Sequence, residues 1–156
     1  METRWKPNVT VAAIVRQDDR FLLVEEEKHG QQVFNQPAGH LEQGETFIDA
    51  IKREVLEESA WEFEPDAVTG IYLYPSPRED ITYLRICFTG NCITLREGHE
   101  LDEGIIRAVW MTRQEIENNK TRLRSPMVLR CIDDYLSGQR YPLELLHNYF
   151  SPDLNG

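Results

Sequence analysis

The feature that most restricts this chain is a short helix carrying carboxylates on the side that ought to be apolar. Thr46 is a side-chain cap, Asp49 follows at the third position as a variant of the capping box, and Phe47, Ile51 and Val55 recur at helical spacing. Steps of roughly 100° per residue from Ile51 place Phe47, Ala50, Ile51 and Val55 in an apolar arc from about −100° to +40°, with Asp49, Lys52 and Ser59 opposite. Glu54 and Glu58 fall inside that arc, and Glu57 falls at its edge. Carboxylates so placed repel one another and lose hydration, and folding alone gives no reason to accept that cost.

A bound cation supplies the reason. Glu54, Glu57 and Glu58 stand at i, i+3 and i+4, so their side chains converge on one spot. Ligation by oxygen alone, with no cysteine and no required histidine, favours Mg²⁺ over zinc, with Mn²⁺ as a substitute. Gly39 and Gly44 allow a tight lead-in loop, and the Gly39 carbonyl is a candidate extra ligand. Arg53 is spaced to pair with Glu57 one turn on and to reach Glu45; the alternative is a plain surface ion pair.

Composition bounds the rest. The 156 residues hold 27 Asp plus Glu against 17 Lys plus Arg, a formal net charge of −10. With 40% apolar residues, the chain is expected to form one domain over 1–156, a core of about 7–140 followed by a tail, 141–156. So acidic a surface, without a long Lys/Arg run, argues against nucleic-acid polymers as partners. No signal-peptide h-region or membrane-length apolar run is apparent, so a soluble, cytoplasmic protein with no membrane partner is expected. Cys87, Cys92 and Cys131 lack a CxxC spacing and read as reduced thiols, with small buried hydrophobes as the simplest role.

Val9 to Arg16 and Phe21 to Glu25, separated by Gln17-Asp18-Asp19-Arg20, look like a hairpin. Further strands are expected over Ala67 to Tyr74, Tyr83 to Gly90 and Ile105 to Met111, the first two joined through Pro75 to Asp80. Thr112 to Glu115 spells a capping box for a short helix. Ser125-Pro126 opens another, through Met127, Val128, Cys131, Ile132 and Tyr135, with Gly138 at its left-handed end. This order predicts an α/β chain with a mixed β-sheet sandwiched between helices.

Gly39, five residues, Glu45, seven residues, then Arg53-Glu54-Val55-Leu56-Glu57-Glu58-Ser59-Ala60-Trp61 resembles the 23-residue signature of the Nudix hydrolases. Ala60 departs from it, standing where the family usually has glycine; alanine in a left-handed conformation costs on the order of 1 kcal/mol. Asn35 to Glu42, Leu123 to Pro126 and Ser137 to Glu144 extend the resemblance to a bacterial phosphatase subfamily. The resemblance implies the Nudix α/β/α fold and a Mg²⁺-dependent hydrolase of diphosphate linkages. It also implies a monomer whose partner is a small nucleotide or diphosphate: nucleoside tri- and diphosphates, hydroxymethylpyrimidine diphosphate or thiamine diphosphate, with release of orthophosphate.

A metal held by Glu54, Glu57, Glu58 and the Gly39 carbonyl would neutralise phosphate oxygens and ready a water for in-line attack. Glu58 is one candidate base. Others are Glu103, ranked first, Asp102, ranked second, and Glu100, with a solvated loop as the alternative. Arg85 and Arg124 are candidates to meet phosphate oxygens, and Phe34, Tyr72, Tyr74 and Tyr83 to stack on a planar base, although for each aromatic taken singly a place in the core is the simpler reading. His40 either touches substrate or makes a structural hydrogen bond. Two rival readings stay open: a pyrophosphatase acting on ADP-ribose or similar conjugates, and a catalytically silent nucleotide-binding module.

Overall fold

In a computed structural model, which describes residues 3–150, two four-stranded sheets are packed between helices. The strands are β1 (Asn8–Ile14), β2 (Arg16–Gln17), β3 (Arg20–Lys28), β4 (Gln31–Asn35), β5 (Ala38–His40), β6 (Trp61–Ser76), β7 (Ile81–Leu95) and β8 (Ile105–Thr112). The α-helices are α1 (Phe47–Ser59), α2 (Arg113–Asn118) and α3 (Met127–Leu136). One sheet runs β5-β1-β7-β6 and is mixed, because β1 and β7 are parallel while β1–β5 and β6–β7 are antiparallel. In the other, β3 pairs antiparallel with β2, β4 and β8. The expected α/β architecture is therefore present.

Strand β1 explains the layering. Val11, Ala13 and Val15 pack with Ala50, Ile51 and Val55 of α1, whereas Ala12 and Ile14 pack with Val128, Cys131 and Ile132 of α3. A strand buried on both faces reads as a near-continuous apolar run, and Val9 to Val15 is one broken only by Thr10. That burial also overturns the expected hairpin. Strand β1 lies between β5 and β7, not beside β3, and only Arg16–Gln17 folds back onto Arg20 and Phe21.

The antiparallel pair across Pro75 to Asp80 is present, with longer strands than expected. Trp61 to Asp66 belong to β6, with register shifts at Glu62/Phe63, Pro65/Ala67 and Val68/Gly70 that disguise the alternation. Helix α2 carries its full capping box, Thr112 with Glu115. At α3 the Ser125 hydroxyl accepts from the Met127 amide at 3.1 Å, and Gly138 has φ of 90°. Cys87 and Cys131 are buried with their sulfurs 3.4 Å apart, while Cys92 is half-buried. Tyr141 exchanges two backbone hydrogen bonds with Val68, both 2.8 Å, and Leu143 and Leu146 pack on the α1 side of the sheet. The described part of the tail thus braces β6. Among the described residues no helix is long and apolar enough to cross a membrane.

Candidate active site

Helix α1 starts where the Thr46 hydroxyl accepts from the Asp49 amide at 3.0 Å. It ends at Ala60, in the left-handed conformation at φ 65°, so alanine occupies the geometry that glycine adopts without strain. Between these ends, burial follows the helical wheel at the glutamates: Glu54 and Glu58 are buried beside Ala50, Ile51 and Val55, and Glu57 is half-buried; Ser59, expected opposite, is instead buried, its hydroxyl donating to the Val55 carbonyl at 2.6 Å.

Arg53 binds this face together. Its Nε and Nη2 donate to the two oxygens of Glu45 at 3.0 and 2.7 Å, a bidentate pair. Nη1 donates to Glu54 at 2.7 Å and to Glu57 at 3.2 Å, and Nη2 also donates to the His40 carbonyl at 3.0 Å. Both partners anticipated for Arg53 are therefore engaged. Hydrogen bonding to Arg53 holds the Glu45 carboxyl below its usual range.

The other carboxylates are pushed the opposite way. Burial raises Glu54 against the opposing pull of Arg53, and burial with the nearby Asp102 charge raises Glu57. Glu58 is raised most, to about 9, by burial, although the Ala38 amide donates to its Oε1 at 2.8 Å. One oxygen each of Glu54, Glu57 and Asp102 lie within 4.8 Å of one another. Asp102 arrives there because its amide donates to the Glu57 carbonyl at 3.0 Å. Glu103, next in sequence and exposed like Asp102, lies outside this cluster.

These residues suit a hard divalent cation, since the donors are oxygens and their mutual repulsion is unrelieved by Arg53 alone. Gly39 is fitted to the same spot: a Cβ there would overlap the Glu54 carboxylate. Glycine at 39 is thus required for close approach of β5 to α1.

A cavity of about 1060 Å³ opens beside the acidic face. Gly39, His40, Glu58, Tyr74, Tyr83, Arg85 and Arg124 line it. Phe34 does not: it is 3% exposed, sits in the α3-side core and is capped by the Arg122 guanidinium 4.6 Å from its ring. Alternation along β4 turns its neighbour Val33 to the cavity instead. Tyr72 donates to Asp134 at 2.7 Å and is packed on the same core. Arg124 reaches the wall with Nη1 on Glu26 at 2.9 Å and Nη2 on Glu79 at 3.1 Å, its charge already matched. His40 has its Nε2 3.5 Å from Asn8 Nδ2 and its ring 6.4 Å from that of Tyr83.

Sequence reasoning missed Gln36. It is 1% exposed, donates to the Val128 carbonyl of α3 at 2.7 Å and accepts from Arg85 Nη2 at 2.6 Å. Two buried polar atoms of the cavity-lining residues, Arg85 Nε and Asn35 Oδ1, have no partner in the protein.

A sequence profile of the NUDIX domain matches residues 6–130. The chain is 36% identical over 152 residues to phosphatase NudJ of Escherichia coli, covering 97% of this chain and 98% of that protein, and equally to that of Shigella flexneri. A NUDIX hydrolase from Nitrosomonas europaea superimposes with a TM-score of 0.91 at 48% identity, covering 92% of this chain and 98% of that one. The fold is shared with a bifunctional NMN adenylyltransferase/ADP ribose pyrophosphatase from Francisella tularensis, complexed with AMP and a manganese ion. There the TM-score is 0.70 at 23% identity, over 85% of this chain and 42% of that one. The profile, the near-full-length relatives and the carboxylate-bearing helix agree: the chain belongs to the Nudix hydrolases, enzymes that act on phosphorus anhydrides.

Proposed function

We propose that the protein is a Mg²⁺-dependent phosphatase, with Mn²⁺ able to substitute. It releases orthophosphate from nucleoside tri- and diphosphates and from thiamine-related diphosphates, namely hydroxymethylpyrimidine diphosphate and thiamine diphosphate. The observation that carries this reading is the near-full-length likeness to phosphatase NudJ, joined to an acidic cluster on the helix whose Glu58, with Gly39, lines a cavity. The enzyme acts as a cytoplasmic monomer, one domain over 1–156, on small molecules and not on nucleic-acid polymers.

Glu54, Glu57, Glu58 and the Gly39 carbonyl are the proposed metal ligands, with Asp102 beside them. A cation held there would supply a Lewis acid for the phosphate oxygens. Arg53 fixes the rotamers of Glu54 and Glu57 and offsets their repulsion, so the ligands are pre-organised. Asp102, close to Glu57, is better placed than Glu103 to take a proton from the attacking water. Tyr74 and His40 line the cavity for the retained part of the substrate, with Arg85 and Arg124 beside them.

The test is a panel of nucleotides, hydroxymethylpyrimidine diphosphate, thiamine diphosphate and ADP-ribose, assayed with Mg²⁺ and with chelator while the released species is identified. Orthophosphate from the diphosphates, with Mg²⁺ only, is the expected result. Pyrophosphate, or nucleoside monophosphate from ADP-ribose, would instead make the protein a pyrophosphatase, and no turnover would make it a binding module.

A further inference from the structure

Arg85 is a cation withdrawn from water with no carboxylate paired to it, and its neighbours include the thiols of Cys87 and Cys131. It is 8% exposed on β7, and its hydrogen bond to oxygen goes to the neutral amide of Gln36. Its Nε has no partner, and no described carboxylate forms an ion pair with it. A buried guanidinium left in this state is costly, so its place is explained by a ligand. Gln36 fixes the arrangement: its amide nitrogen is committed to the Val128 carbonyl, which leaves its oxygen for Arg85.

The surroundings specify the ligand's charge. Lys28, Arg78 and Lys120 also line the cavity and are in no ion pair with described residues, whereas Arg113 and Arg124 are paired with carboxylates. In a protein of net charge −10, four cations with no carboxylate partner among the described residues, Arg85 among them, thus line one cavity. Register places His40, Thr10 and Arg85 in one row across β5, β1 and β7. Two strand spacings, about 10 Å, therefore separate the Arg85 backbone from the strand where Glu54 and Glu58 meet the sheet.

We propose that Arg85, oriented by Gln36, binds a phosphate oxygen on the part of the substrate retained after cleavage. The cavity then selects di- and triphosphates whose product still carries a phosphate. This rests on the phosphatase reading for the identity of the retained part, but equilibrium binding does not depend on which phosphate is released.

The experiment is isothermal titration of the full chain in excess chelator with AMP and with adenosine. AMP is expected to bind wild type at least tenfold more tightly than adenosine. Arg85→Gln should lose that preference by weakening AMP tenfold or more while adenosine changes less than threefold. Gln36 is a positioning residue: Gln36→Glu gives Arg85 a fixed negative partner and should likewise weaken AMP selectively, whereas a merely structural role would weaken both ligands alike. AMP no tighter than adenosine on wild type would overturn the proposal and would point to the adjacent Cys87 thiol as the counter-charge. Equal losses for both ligands in Arg85→Gln would overturn it too. Should Arg85→Gln fail to fold by circular dichroism, the wild-type comparison and Gln36→Glu decide.

Discussion

Glu58 makes the metal-free protein a worse fold at high pH. Its carboxyl is raised from 4.5 to about 9 by burial, so between those values the native state holds a proton that the unfolded chain has released. An acid with a raised native pKa contributes its full stability below pH 4.5 and loses it as pH rises through about 9. Each pH unit inside the window removes about 1.4 kcal/mol for one such proton. In chelator, Glu58→Gln should therefore gain on wild type by about 2.7 kcal/mol between pH 6 and pH 8. The isosteric amide keeps an oxygen for the Ala38 N–H. Urea unfolding monitored by fluorescence at several pH values gives this difference directly. Parallel pH slopes for wild type and Glu58→Gln would refute the reasoning. Mg²⁺ selects the ionised carboxylates, so it should stabilise wild type more at pH 8 than at pH 6, and Glu58→Gln much less at either.

Other perturbations test neighbouring parts of the site. Gly39→Ala drives a methyl into the Glu54 carboxylate and should cost about 1–3 kcal/mol of stability; thermal melts in chelator, then with Mg²⁺, should show both a lower midpoint and a smaller Mg²⁺ shift. Glu57→Gln should lower turnover by orders of magnitude while circular dichroism stays native, and near-normal activity would remove Glu57 from the ligand set. Ala60→Gly relieves the left-handed alanine and should raise stability by roughly 0.5–1 kcal/mol with activity unchanged, read by urea unfolding. Asp102→Asn should depress kcat/KM far more than Glu103→Gln; equal effects would return the two to parity as candidate bases.

Local chemistry makes α1 legible in the sequence itself. The Thr46 cap, the apolar arc and the three glutamates belong to one short stretch of chain, and burial of Glu54 and Glu58 follows from angle alone. Gly39 is legible as a loop glycine, but not as the residue whose missing side chain makes room for Glu54, because that contact spans 15 residues. Strand β5 is hidden for the same reason: three residues have no period to read, and they are a strand only because β1 lies alongside. The Asp102 position depends on a backbone hydrogen bond to α1, which no spacing encodes. Gln36 carries no signal of its own, since its role needs β7 and α3 at once. The β1–β3 hairpin fails because a polar turn between apolar runs marks a reversal, not which sheet each run joins.

Strand β1 sends alternate side chains to two separate cores, one under α1 and one under α3. The proposed metal ligands Glu54, Glu57 and Glu58 stand on the helix of the first, and Tyr74, Leu123, Met127 and Leu129 of the cavity lining belong to the second. Substitutions in the two cores share few neighbours, so their free energies should add, and repacking around α3 can retune which molecule is accepted while the cleaving apparatus stays as it was. The junction is β5, where the Ala38 amide holds Glu58. Substitutions at that strand should therefore couple the two cores.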